Sequence, residues 1–142
     1  MEIRKLASKD IGTVVELWYK TSIIAHNFIA DDYWEKHKEA MASKYLPNSD
    51  TYLALEDEKI IGFVTMVEDF LAAIFVDNKT QGKGVGKSLL NYVKDKRTTI
   101  QLKVYEKNKK SLGFYKSQGF LVKSANKEKE TGENEFLMEW TR

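Results

Sequence analysis

The sequence predicts an α/β fold of about seven strands and about four helices, in the order β-α-α-β-β-β-α-β-α-β-β. Three observations carry that prediction. The apolar run Phe70-Leu71-Ala72-Ala73-Ile74-Phe75-Val76 passes through a glycine-rich turn, Gln81 to Ser88, straight into an amphipathic helix. The run Thr99 to Tyr105 alternates apolar and polar residues, as a half-buried strand does. Near the N-terminus, apolar residues recur at helical spacing in two successive stretches.

Taken in order, Ile3-Arg4-Lys5-Leu6 suits a first strand. Ser8 is then expected to cap a helix with Ile11, Val14, Val15 and Trp18 on one face. A second helix is expected from Tyr33 to Tyr45, with Pro47 marking its end. Thr51 to Leu55 and Ile60 to Val67, joined by Glu56-Asp57-Glu58-Lys59, read as a hairpin. The apolar strand, the helix Gly84 to Lys96 and the alternating strand follow. Asn108 caps a late helix that Gly119 ends. Phe120-Leu121-Val122 and Phe136 to Trp140 form a last hairpin about the turn Thr131-Gly132-Glu133-Asn134, inside a polar stretch, Lys127 to Glu135, expected to be an exposed loop without a role.

The turn Gln81-Gly82-Lys83-Gly84-Val85-Gly86-Lys87-Ser88 is a phosphate cradle by its chemistry. A strand end, a glycine turn and a helix start together aim several free N–H groups at one point, and the helix dipole favours an anion there. A Walker loop would need glycine where Gln81 stands. A dinucleotide fingerprint would need a third glycine where Lys87 or Leu89 stands. Neither pattern fits.

What fits is Gln-x-x-Gly-x-Gly, filled by Gln81, Gly84 and Gly86, which resembles the coenzyme A pyrophosphate loop of the GCN5-related N-acetyltransferases (GNAT). Asn108 to Phe120, with Tyr115 seven residues after its Asn and a closing Gly119-Phe120, is similar to the late helix of that family. The segments His26-Asn27-Phe28-Ile29, Tyr33-Trp34, Phe70 to Ala73 and Val104 to Asn108 extend the resemblance over nearly the whole chain, to the small bacterial subgroup typified by YiaC and YjaB. The resemblance implies a mixed, mostly antiparallel twisted sheet and acetyl-CoA as cofactor. It also implies direct transfer of an acetyl group to a primary amine, with a protein or peptide lysine as acceptor.

Composition sets bounds. A chain of 142 residues is one ordinary domain, here 1–142, and 42% apolar content supplies a sizeable core. The longest apolar run is too short for a bilayer span and no signal-like stretch opens the chain, so a cytoplasmic protein is expected. Cysteine is absent, which excludes a thiolate metal site and a cysteine nucleophile. His26 and His37 alone argue against zinc, and no metal is expected. The net charge of +2 argues against nucleic acid, but it is uneven: Lys79 to Lys110 carries +8 and the remainder −6. A cofactor rich in phosphate accounts for Lys83, Lys87 and Lys110, and a solvated helix face for Lys94, Lys96 and Arg97.

Acetyl transfer needs a neutral amine, a polarised carbonyl and a donor for the departing thiolate. A lysine amine in water is neutral in roughly one molecule in 2,500 at neutral pH, a cost of roughly 4–5 kcal/mol that desolvation or a base must offset. Tyr115 is the candidate acid, and a core tyrosine is the plainer reading of the same residue. Asn108 can cap its helix and, as the resemblance implies, contact the pantetheine arm. The resemblance also has the backbone around Ile74, Phe75 and Val76 pair with that arm. Candidates on the acceptor side are His26, Phe28, Glu68, Asp69 and Phe70, with either carboxylate as base. Gly113, inside a helix, admits close cofactor approach or close packing on the sheet. The alternatives left open are a small-molecule amine or an aminoacyl-tRNA as acceptor, and a non-catalytic acyl-CoA sensor. A monomer and a homodimer fit equally.

Overall fold

A computed structural model describes residues 1–142. Its elements are β1 (Glu2–Lys5), α1 (Ile11–Ala25), α2 (Asp31–Ala40), β2 (Asp50–Glu56), β3 (Lys59–Val67), β4 (Phe70–Val76), α3 (Val85–Lys94), β5 (Thr99–Tyr105), α4 (Lys109–Ser117), β6 (Leu121–Lys127) and β7 (Asn134–Thr141). Seven strands and four helices thus follow in the expected order. No helix is long and apolar enough to cross a membrane.

Two helix starts differ from expectation, each for a local reason. A 3-10 turn, Ser8–Asp10, precedes α1, and neither Ser8 nor Asp10 caps the helix with its side chain; Asp10 Oδ2 instead reaches back across the turn to accept the Ala7 N–H at 2.9 Å. The same carboxylate binds both terminal nitrogens of Arg4, at 2.8 and 3.1 Å, tying β1 to α1. The second helix begins at Asp31, because Asp31 and Asp32 suit the positive end of its dipole. It gives way at Met41–Tyr45 to a wider π turn ahead of Pro47.

The strands form one sheet in the order β1-β2-β3-β4-β5-β7-β6, antiparallel everywhere except between β4 and β5. Alternation along the strands sends side chains to two cores. Val64, Met66, Leu102 and Met138 pack under α3 and α4 with Leu89, Leu90, Val93 and Leu112. On the other face, Leu53, Leu55 and Phe63 pack under α1 and α2 with Val14, Trp18, Trp34 and Leu46.

The feature that positions the site is a break in the middle of this sheet. β4 and β5 pair only at Phe70↔Gln101 and Leu71↔Leu102. Immediately after, the β3–β4 register jumps from Met66↔Leu71 to Thr65↔Ala73, so Ala72 is an extra, bulged residue. A bulge bends its strand and sharpens its twist, and β4 here parts from β5. The gap is visible in burial: Ala72 is exposed and Ala73 to Val76 are only half-buried, although β4 is the central strand and its neighbour β3 is buried from Ile61 to Met66. From Leu71 to Val76 the opening is about 16 Å long at ordinary strand rise.

Candidate active site

The glycine turn lies at the open end of this splay. Gly84 stands at the N-cap of α3 with φ of 83°, and Gly82 has φ of 81°, both left-handed and natural only for glycine. A Cβ at either would meet no protein atom within 4 Å. Glycine is therefore required for the backbone path and leaves free space beside it. The first intrahelical donor in α3 is Ser88, whose N–H reaches the Gly84 carbonyl at 3.0 Å. The N–H groups from Gly82 to Lys87 donate to no protein acceptor, which leaves a row of donors at the positive end of a helix.

Gln81 locks the turn. Its Nε2 donates to the Val76 carbonyl at 3.0 Å and to Asn78 Oδ1 at 3.1 Å, while its Oε1 accepts from Lys110 Nζ at 2.7 Å. That last bond holds the Lys110 cation beside the cradle. Lys83 and Lys87 are exposed and pair with no carboxylate. Phe114 of α4 lies 3.5 Å from where a Gly86 Cβ would stand, so α4 packs directly on the start of α3.

From the turn, the splay offers an unpaired strand edge. The Asp77 N–H bonds the Ile61 carbonyl of β3 at 2.8 Å. By alternation, Phe75 and Ala73 also direct their polar groups to β3, and Ile74 and Val76 direct theirs toward β5, beyond the reach of its pairing. The Val76 carbonyl is taken by Gln81. The Val76 N–H and both groups of Ile74 remain for an extended ligand, as an added strand would use them.

Tyr115 belongs to the core under α3 and α4, against which Ile74 and Val76 pack. It is buried against Phe114 and Phe120, with ring centroids at 5.6 and 5.8 Å. Its hydroxyl bonds no protein group and is not fully enclosed. Burial pushes the phenol above its ordinary pKa, so it stays protonated and keeps its hydrogen to donate.

On the α1–α2 face the groove is lined by aromatic rings. His26 stacks on Trp34 at 5.0 Å and meets Phe75 of β4 at 6.4 Å, Tyr105 of β5 at 5.2 Å and Phe28 at 6.0 Å. Burial lowers its pKa to about 4, so the ring is neutral. Asn108 fills its expected place as a cap and also meets a ring that its position in the sequence did not signal. Its Oδ1 caps α4 by accepting the Ser111 N–H at 3.3 Å, and its Nδ2 lies 3.2 Å from His26 Nε2.

The expected acceptor-side residues fall into two groups at opposite ends of the opening. His26 and Phe28 lie at its open end. Phe70 pairs beside Gln101 at the vertex. Glu68 and Asp69 lie beyond the vertex in an exposed turn, where Glu68 has φ of 56°, its carbonyl accepts from Arg97 Nε at 3.0 Å, and Asp69 stands 3.8 Å from the same nitrogen. The structure does not bring these carboxylates together with His26.

Other residues have duties that sequence patterns did not signal. The Tyr105 hydroxyl donates to Glu128 Oε1 at 2.7 Å, Glu130 pairs with His37 at 3.3 Å, and Glu133 pairs with Lys107 at 3.1 Å. The polar stretch expected to be an idle loop is therefore tied to β5, to α2 and to the β5–α4 connection. Lys94 is not on a solvated face either: its Nζ donates to the Gln118 carbonyl at 2.6 Å beside Trp140 and Phe120. Lys96 lies over Tyr52 and Tyr92, and Arg97 holds the Glu68 turn. A Cβ on Gly113 would meet nothing within 4 Å, so packing on the sheet does not explain that glycine.

Relatives place this geometry. The chain is 34% identical over 139 residues to peptidyl-lysine N-acetyltransferase YiaC of Escherichia coli K12, covering 97% of this chain and 95% of that one. Its fold matches the solution structure of apo YjaB from Escherichia coli with a TM-score of 0.86, at 22% identity, over 98% of this chain and 96% of that one. It also matches the PaiA N-acetyltransferase of Thermoplasma acidophilum in complex with coenzyme A, with a TM-score of 0.81 at 22% identity over 99% and 98% of the two chains. The family described as Acetyltransferase (GNAT) domain matches residues 47–122, from the approach to β2 into β6 and thus across the splay, the cradle and α4. By sequence and by fold, this chain belongs to the GNAT acetyltransferase family.

Proposed function

We propose that this chain, as one domain spanning residues 1–142, transfers an acetyl group from acetyl-CoA to the side-chain amine of a lysine in a protein or peptide. The observation that carries the reading is the unpaired edge of β4 that follows on from the free Gly82–Lys87 donors. The name of the 34%-identical relative supports the choice of lysine. Acetyl-CoA supplies an already activated thioester, so the protein's tasks are to bind, to orient and to stabilise charge.

The residues present suit those tasks. The free N–H groups of Gly82 to Lys87, with Lys83, Lys87 and Lys110, hold pyrophosphate. Ile74 and Val76 receive the pantetheine arm as an added strand, and Phe75 between them faces the α1–α2 side. A free N–H of this edge stabilises negative charge developing on the acetyl oxygen. Tyr115 donates a hydrogen bond to the departing sulfur. Because its phenol is above the ordinary range and a thiol is near 8.5, complete proton transfer to sulfur is uphill, and the tyrosine acts chiefly as a charge-assisted donor. The acceptor reaches the vertex from the α1–α2 face, past Phe28, His26 and Phe70, where aromatic surroundings favour the neutral amine. The protein works in the cytoplasm, as a monomer or a homodimer.

Amine-dependent release of coenzyme A tests this directly, and the absence of cysteine keeps the thiol background low. Across a panel of lysine peptides, polyamines, small amines and aminoacyl-tRNA, the lysine peptides should give the largest kcat/KM. Turnover confined to another class would overturn the choice of acceptor. Binding of acetyl-CoA with no turnover on any amine would favour a sensor.

A further inference from the structure

His26 follows the last residue of α1 and Asn108 caps α4, and their side chains meet although 82 residues separate them. Both are at least nine-tenths buried, with exposures of 8% and 9%. The direction of their bond follows from the far end of the amide. Asn108 Oδ1 accepts the Ser111 N–H, so Nδ2 must be the atom facing His26, and Nδ2 only donates. His26 Nε2 therefore accepts with its lone pair, and the neutral ring carries its proton on Nδ1. The other tautomer would set N–H against N–H.

This choice has a visible cost. Nδ1, the protonated nitrogen, is enclosed and has no partner. An orphaned buried donor opposes folding and calls for a reason other than stability. The ring is nevertheless held from several sides by Trp34, Phe28, Phe75 and Tyr105. Since Phe75 belongs to β4 and Tyr105 to β5, His26 spans the splay from the α1–α2 face. Its one hydrogen-bonded ring nitrogen points at the residue that starts α4.

We propose that His26 is a positioning residue for the cofactor: by accepting one Nδ2 hydrogen of Asn108, it fixes the amide so that the second Nδ2 hydrogen faces the splay and donates to an amide carbonyl of the pantetheine arm. The proposal rests on the acetyl-CoA reading above. His26 takes no part in the chemistry at the thioester. It acts through Asn108, whose own cap bond prevents the amide from turning over.

The test measures coenzyme A affinity by calorimetry on the full chain for wild type, His26→Phe, His26→Gln, Asn108→Ala and the His26→Phe/Asn108→Ala double variant. The phenylalanine keeps the ring and loses the acceptor, so affinity should fall about tenfold, the scale of one lost hydrogen bond. The glutamine oxygen can accept the same hydrogen and should retain wild-type affinity. The double variant should bind no more weakly than Asn108→Ala alone. Unchanged affinity in His26→Phe, or single effects that multiply in the double variant, would overturn the proposal.

Side-chain NMR of the wild type needs no variant to fold. The His26 nitrogen shifts should show Nδ1 protonated and Nε2 bare, and on adding coenzyme A only one of the two Asn108 Nδ2 protons should move. The opposite tautomer, or movement of both protons or neither, would also overturn it. If wild type binds no coenzyme A, the acetyltransferase reading fails, and the tautomer still decides the His26–Asn108 bond by itself.

Discussion

Replacing Tyr115 by Phe should lower kcat by about a hundredfold or more while leaving the KM for acetyl-CoA and the thermal stability close to wild type. The expectation follows from what the hydroxyl does and does not touch. The ring packs on Phe114 and Phe120 and contributes to the core, so a phenylalanine keeps that packing. The hydroxyl bonds no protein group, so its removal leaves no partner unsatisfied. What disappears is the donor for charge building on sulfur, an interaction made in the transition state and not in the ground state. Such an interaction lowers kcat and kcat/KM together. Steady-state kinetics with a lysine peptide and a parallel melting curve check this. A raised KM with unchanged kcat would show that Tyr115 only packs against the cofactor.

The second large effect is on stability at acid pH, through His26. Its folded pKa is about 4 against an unfolded value near 6.5, so the native state favours the neutral ring. A group with a depressed pKa of this kind contributes its full share of stability above the unfolded value and loses it as pH falls toward the folded value. For a base, the unfolded chain takes up the proton that the native chain refuses. The loss between pH 6.5 and 4 is about 3 kcal/mol, a sizeable part of a typical domain's stability.

The neighbours offer the imidazolium no compensation. Asn108 presents a donor to Nε2, and the Tyr105 phenol is turned to Glu128. The charge over the neighbouring Phe28 ring, that of Lys107, is a cation. Urea unfolding across that window should show the loss in wild type and not in His26→Gln, the difference between the two proteins isolating His26 from other titrating groups. Equal acid sensitivity in both would contradict this assignment.

Much of the site was legible in the chain because it is local. The strand, glycine turn and helix are contiguous, and the cap role of Asn108 follows from its place ahead of Lys109–Ser117. The splay was not legible in the residues themselves. It depends on where β4 stops pairing with β5, and that depends on a bulge at Ala72, an unremarkable alanine in an apolar run. Periodicity says which face a side chain takes and is silent on which distant residue it meets, so the His26–Asn108 and Tyr105–Glu128 bonds left no trace in the pattern. At the start of α1, Ser8 and Asp10 are both good caps by type, yet neither caps the helix, because Asp10 is turned back to the Ala7 N–H and to Arg4 across from it. The polar run after Lys127 misled for the same reason, since a charged residue in a turn gives no sign of the partner waiting in the folded protein.

The central claim is that the parted edge of β4 is where the cofactor lies, and a crystal structure of the protein with coenzyme A tests it most directly. The account predicts pyrophosphate oxygens on the N–H groups between Gly82 and Lys87, the pantetheine arm paired with Ile74 and Val76 in the splay, and the sulfur beside the Tyr115 hydroxyl. Coenzyme A bound elsewhere, or a β4–β5 pair zipped shut beyond Leu71 with the arm outside it, would contradict it.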